Sequence, residues 1–243
     1  MNELSKNHFK ELIKLKQKKF RESAGEVIVE GYRLIEQIFT NGIELKDIFV
    51  TDPDKYDCRL FKNSKIYYIE PWQMEKLCST KHPQDITALV ETKTKPIKDK
   101  GFLLYLDNIS EPGNLGTIVR TASAAGISGI VLSTDCCEIF NPKVIRASMG
   151  SVFSIPIETH DINWLKEQNS TIIVTTLYES QNLFELKKPE GNVILVLGSE
   201  AAGVRREIME LADFRVKIPI SKEVESMNVA IAAGIAIYHL IKK

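Results

Sequence analysis

Residues 101–133 read GFLLYLDNISEPGNLGTIVRTASAAGISGIVLS, and this stretch decides the fold. FLLYL (102–106) and GIVLS (129–133) are unbroken apolar runs, the pattern of strands covered on both faces, as in parallel sheets flanked by helices. Between them lie a turn and a helix that starts near Asn114. The pattern recurs in TIIVTTL (171–177), VILVLG (193–198) and FRVKIPI (214–220), with helix-like segments in between. A last helix is expected from about Glu225 to the end of the sequence. Its small residues Ala230, Ala232, Ala233, Gly234 and Ala236 suit close approach by another element, in the core or at a helix–helix dimer seam. The C-terminal part thus reads as an α/β domain built on a parallel sheet.

Upstream, ETKTKPIKDKG (91–101) is polar, holds Pro96 and Gly101, lacks apolar periodicity and reads as a linker. The expected division is residues 1–92, a linker at 93–100, and 101–243. Before the linker, β-like runs alternate with amphipathic segments: VIVE (27–30) then YRLIEQIF, DIFV (47–50) then a segment around Lys55–Phe61, KIYYIE (65–70) then PWQMEKLC, and finally ITALVE (86–91). This alternation predicts a small α/β sandwich.

With 44% apolar and 26% charged residues, the 243-residue chain has the balance of a soluble globular protein. The polar start MNELSKNHFKEL lacks the apolar core of a secretory signal. The most apolar stretch, Val229 to Ile241, is shorter than the roughly 20 residues a membrane span needs. A cytoplasmic protein without a membrane segment is expected. Cys58, Cys78, Cys136 and Cys137 form no Cys-x-x-Cys pair, and the four histidines are scattered, so reduced thiols and no metal site are expected. Formal net charge is zero, but residues 1–21 carry Lys6, Lys10, Lys14, Lys16, Lys18, Lys19 and Arg21 against Glu3 and Glu11. Such an arm suits a phosphate backbone; taken alone it equally describes a solvated helix face.

Three clusters end predicted strands, where ligands of open α/β sheets bind. Asn108 to Gly126 holds Asn114 and Arg120 around a helix start, a place for an anion or merely a capped turn; neither Gly-x-x-x-x-Gly-Lys nor Gly-x-Gly-x-x-Gly is present. Leu197-Gly198-Ser199-Glu200-Ala-Ala-Gly203 stops a strand at a glycine and leaves a carboxylate beyond it, or a helix-capping one. Ile218-Pro219-Ile220 is followed by Glu225-Ser226-Met227-Asn228-Val229-Ala230, in which Ser226 alone would read as an N-cap.

In this order, the three clusters resemble the SpoU (TrmH-type) family of RNA ribose 2′-O-methyltransferases, with its Asn-x-Gly-x-x-x-Arg helix, Gly-x-Glu turn and Ile-Pro … Ser-Leu-Asn-Val helix start. The resemblance covers about residues 101–243. LKQKKFRESAGEVIVEGYRLIEQ resembles the opening of the N-terminal substrate-binding domain found in the ribosomal-RNA branch, a fold akin to small ribosomal RNA-binding proteins. The resemblance implies a C-terminal trefoil knot, S-adenosylmethionine as cofactor, a homodimer with the active site at the seam, and RNA as substrate. Ribosomal RNA is favoured over transfer RNA, with guanosine or uridine as target. It puts Asn114 and Arg120 at the reacting ribose and its phosphate, with Glu200, Ser226 and Asn228 completing the catalytic set. Leu197, Gly198, Ile218 and Met227 would hold the cofactor, with Thr175 nearby. Arg120 is either the proton acceptor the family proposal makes it or, given a guanidinium pKa above about 12, a phosphate and alkoxide binder. Two departures stand out: Met227 replaces the usual leucine, a swap of similar volume, and Ala201–Ala202 follow the glutamate. The segment from Asn141 to Ser151 also fits, and offers Lys143 and Arg146 to RNA beside Lys18, Lys19 and Arg21, or else to solvent. A catalytically silent RNA-binding dimer is the second function class. An ordinary dinucleotide-binding enzyme is the third, and it lacks its glycine fingerprint here.

Overall fold

The computed structural model describes residues 2–241 except Lys62, Asp99, Lys100, Glu200 and Ala201, and only the backbone of Arg59. The chain forms two compact units, Met1–Lys93 with Phe140–Ser154, and Thr94–Ile139 with Ile155–Lys243.

The first unit contains β1 (Asn2–Glu3), α1 (Lys6–Lys14), α2 (Lys18–Ala24), β2 (Glu26–Glu30), α3 (Tyr32–Thr40), β3 (Leu45–Val50), β4 (Lys65–Tyr68), α4 (Pro71–Leu77) and β5 (Ile86–Glu91). Its sheet runs β1-β4-β3-β5-β2, with β5 antiparallel to both of its neighbours and the other pairs parallel. Ile28, Phe49 and Leu89 of the sheet form a core with Phe9, Leu12, Met74 and Leu77 of α1 and α4. The segment around Lys55–Phe61, expected to continue the alternation, shrinks to one 3-10 turn at Cys58–Leu60. A continuous domain from residue 101 was expected, but Phe140–Ser154 packs with the first unit. The reason is apolar: Val144, Ile145, Val152 and Phe153 are buried, and a Cβ on Gly150 would lie 2.6 Å from Ile38 and 3.2 Å from Leu34.

The second unit runs β6 (Phe102–Asp107), α5 (Pro112–Ala125), β7 (Gly129–Leu132), β8 (Ile157–Thr159), α7 (Ile162–Lys166), β9 (Thr171–Thr175), β10 (Gln181–Asn182), β11 (Val193–Gly198), α8 (Arg206–Met209), β12 (Phe214–Lys217) and α9 (Val229–Leu240); α6 (Pro142–Ala147) belongs to the first unit. Its sheet, ordered β10-β12-β9-β11-β6-β7-β8, is parallel at every described pairing. Leu103, Tyr105, Val131, Val174, Ile194 and Val196 are buried in its core, as unbroken apolar runs require. After β8 the chain returns to lay β9 beyond the gap that β11 later fills next to β6. Such a reversal of strand order opens a crevice beyond the carboxyl ends.

Helix starts depart from the sequence reading. The first helix starts at Pro112 rather than near Asn114, because Glu111 is its cap and accepts the Asn114 backbone N–H at 2.7 Å; Pro112 stands where its missing N–H costs nothing. Arg120, the ninth residue of α5, therefore lies in its third turn, two residues deeper than a start at Asn114 would put it. The last helix starts at Val229 rather than Glu225. Its cap is Asn228, not Ser226: Asn228 Oδ1 accepts from Ala230 and Ile231 N–H at 3.0 and 3.2 Å.

Candidate active site

The carboxyl ends of β9, β11 and β12 and the segment leading into α9 enclose a cavity of about 420 Å³. Thr175 ends β9, Leu197 and Gly198 end β11, Ile218 follows β12, and Ser226 and Met227 precede α9; all six line the cavity. Thr175 is fixed by its hydroxyl, which donates to the Val196 carbonyl at 3.1 Å. Gly198 is demanded by close approach. A Cβ there would lie 2.2 Å from the Gly203 carbonyl carbon, since the turn folds back on the strand and bridges Ser199 to Gly203. Apolar walls come from Leu183, Val204, Val216, Ile220 and Val229, while Lys217 and Glu225 bring opposite charges to the lining.

Beside this cavity α5 packs on α9, and a Cβ on Gly234 would meet the Thr121 methyl at an ordinary 3.6 Å. The packing joins Asn114 and Asn228: Asn228 Nδ2 donates to Asn114 Oδ1 at 3.0 Å while Asn228 Oδ1 holds the end of α9. Arg120 is exposed on α5, and no ion pair or hydrogen bond engages its guanidinium among the described residues. Glu200 lies outside the described residues. Beyond the carboxyl ends of β6 and β7, burial pushes the Cys137 thiol up to about 11 and raises that of Cys136, so both stay protonated at neutral pH and offer no nucleophile. Among the described residues no cluster of three or more His, Cys, Asp or Glu side chains is set to hold a metal, and no helix is long and apolar enough to cross a membrane.

The residues expected to meet RNA fare unequally. Lys19 and Lys143 are exposed, and Lys18 pairs with Glu22 at 3.6 Å on the surface. Arg21 needs correction. It is 4% exposed and donates to the Leu15 and Lys16 carbonyls, both at 2.8 Å, so it seals the junction of α1 and α2 instead of presenting charge. Arg146 donates to Ser79 Oγ at 2.9 Å and stands 3.7 Å from Glu30. Sequence reasoning missed two features. Tyr178, the most exposed large hydrophobic side chain of the cavity lining, sits in the loop after β9. Asp107 is a fully buried carboxylate whose only signal was its place at the end of FLLYL.

Residues 101–238 match the SpoU rRNA Methylase family and residues 6–88 the MRM3-like substrate binding domain. The 23S rRNA (guanosine(2553)-2′-O)-methyltransferase RlmP of Bacillus subtilis is 31% identical over 93% of this chain and 93% of its own. The 23S rRNA (guanosine-2′-O-)-methyltransferase RlmB of Salmonella typhi is 31% identical over 60% of this chain and 62% of its own. Among solved structures, the AdoMet-bound rRNA methyltransferase from Sinorhizobium meliloti superposes with a TM-score of 0.86 at 27% identity, covering 99% of this chain and 96% of that one.

Proposed function

The chain belongs to the SpoU rRNA Methylase family, and from that premise we propose that it transfers a methyl group from S-adenosylmethionine to a ribose 2′-hydroxyl of 23S ribosomal RNA, with guanosine as the target. The observation that carries the reading is the convergence of Thr175, Leu197, Gly198, Ile218, Ser226 and Met227 on one cavity beside the joined Asn114 and Asn228. The cofactor fits that lining. The volume falls within the roughly 300–1,000 Å³ of small-ligand sites, the apolar walls suit a purine ring, and Lys217 and Glu225 suit a zwitterionic amino-acid end.

S-adenosylmethionine supplies a methyl group on a sulfonium, with a neutral leaving group. The chain's own residues then have to orient the 2′-hydroxyl and manage its proton. Asn114, held by Asn228, orients the ribose from the start of α5. Arg120 holds the adjoining phosphate and stabilises the developing alkoxide, a task that asks no guanidinium to lose a proton at neutral pH. Glu200 and Ser226 complete the set. The exposed Ile231 and Tyr238 on α9, one above the other at a seven-residue spacing, support a homodimer across that face; the family's trefoil knot belongs to the same reading. In the first unit, Lys19 and Lys143 contact RNA phosphates. Work on ribosomal RNA puts the enzyme in the cytoplasm.

The test is incubation with radiolabelled S-adenosylmethionine and total bacterial RNA, both naked and ribosome-bound. Label at a ribose 2′-oxygen of the large ribosomal RNA is the expected result. Label in transfer RNA overturns the substrate, and no label in any RNA favours a silent RNA-binding dimer.

A further inference from the structure

Asp107 closes β6 and is fully buried. A carboxylate taken out of water persists only when paired. Its partner lies 98 residues further on: Oδ2 accepts the backbone N–H of Arg205 at 2.9 Å, and Oδ1 stands 2.6 Å from the Arg205 guanidinium. The guanidinium also reaches Asp135 at 3.3 Å.

What the pair holds is the turn between β11 and α8. Gly198 lies directly opposite Asp107 in the register of β11 and β6. The chain then turns: Gly203 N–H donates to the Ser199 carbonyl at 2.9 Å and Ala202 N–H to Ser199 Oγ at 3.2 Å. It returns to Asp107 at Arg205. The turn is therefore anchored to the carboxyl end of β6 at both of its ends. Its described residues Ser199, Ala202, Gly203 and Val204, with Leu197 and Gly198 before them, form one wall of the cavity. Asp107 and Arg205 stand behind that wall.

We propose that Asp107 and Arg205 are a positioning pair that sets the cofactor-facing wall before the cofactor arrives, an inference that rests on the methyltransferase reading. A wall held in place need not be ordered on binding, so the pair acts first on cofactor affinity, and a smaller effect on turnover follows from Glu200, which the same turn carries in the sequence. The same pair used only for general stability would lower the melting temperature without separating affinity from turnover.

The experiment measures S-adenosylmethionine affinity of the full chain by calorimetry, and KM and kcat with ribosomal RNA. It compares wild type, Asp107→Asn, Arg205→Ala, Arg205→Lys and the Asp107→Asn/Arg205→Ala double variant, all below their melting temperatures. Asp107→Asn and Arg205→Ala should each weaken cofactor binding about tenfold or more, with a clearly smaller fall in kcat at saturating cofactor. Arg205→Lys should recover part of the loss, and the double variant should be little worse than the weaker single one. Folded variants that bind as wild type does, or that lose kcat at unchanged KM, overturn the pair's role. Should Asp107→Asn not fold, the partly exposed Arg205→Ala carries the test. Wild-type protein that binds no S-adenosylmethionine overturns the methyltransferase reading itself, a result distinct from equal binding by wild type and variants.

Discussion

Arg120 has no partner of its own among the described residues, so Arg120→Lys leaves the fold alone and tests the planar fork directly. Turnover should fall about tenfold or more with the melting temperature unchanged; because lysine keeps the charge, near-normal turnover removes the bidentate and the proton-accepting roles of the guanidinium. Asn228 serves two masters, the start of α9 and Asn114. Asn228→Ala should cost about 1 kcal/mol for the lost cap, seen in denaturant unfolding, together with a larger loss of kcat; a stability change alone would confine Asn228 to capping. Gly198→Ala places a methyl group against the Gly203 backbone. It should abolish cofactor binding in calorimetry, and retained affinity would show that the turn yields. At this scale the sequence was readable wherever a residue type answers a local demand, as at Gly198. It was not readable for Asp107 or Arg21, because their roles depend on partners that only the folded chain brings near. Arg21 looked like surface charge within a basic run, yet its carbonyl partners, six and five residues back, bury it.

Among the elements, apolar runs announced strands reliably in the second unit because the sheet is covered on both faces. The edge strands Ile157–Thr159 and Gln181–Asn182 are too short to leave such a run. Helix starts were less legible, since Asn114, Ser226 and Glu225 all had the composition of a helix start. The structure chose Glu111 and Asn228, whose side chains reach the second or third N–H of the helix. At the junction of α1 and α2, Arg21 and Lys19 make opposing predictions. Arg21→Ala leaves two buried-side carbonyls without their donor and should cost about 1–3 kcal/mol, read by chemical denaturation, with RNA affinity changed only through stability. Lys19→Ala should leave stability alone and weaken RNA binding with a shallower salt dependence. The reverse pattern would return the phosphate contact to Arg21.

Across the whole molecule, Glu30 links acid stability to the first unit. Burial alone would raise its pKa. The donors on Ser79 and Thr80, with Arg146 nearby, outweigh burial and hold the carboxyl below its ordinary value of 4.5. A lowered pKa gives stability that is present above the unfolded value and fades as pH falls through the lower folded one. Glu30→Gln should therefore lower the melting temperature at pH 7. The gap to wild type should narrow from about pH 4.5 downward, and a pH-independent gap would deny the carboxylate its role.

The parallel sheet has a consequence for how the protein is made. The central strand β11 lies beside β6, whose start is tied by the Gly101 N–H donating to Asn192, 91 residues later. As the chain leaves the ribosome, the apolar edge of β6 waits, unpaired on that side, through the synthesis of β7, β8, β9 and β10. Closure of such distant pairings is slow, and an open edge invites pairing with other nascent chains. High-level expression should therefore yield aggregates that form before release from the ribosome, and slower translation or holding by a chaperone should rescue soluble enzyme more than any change to its mature surface.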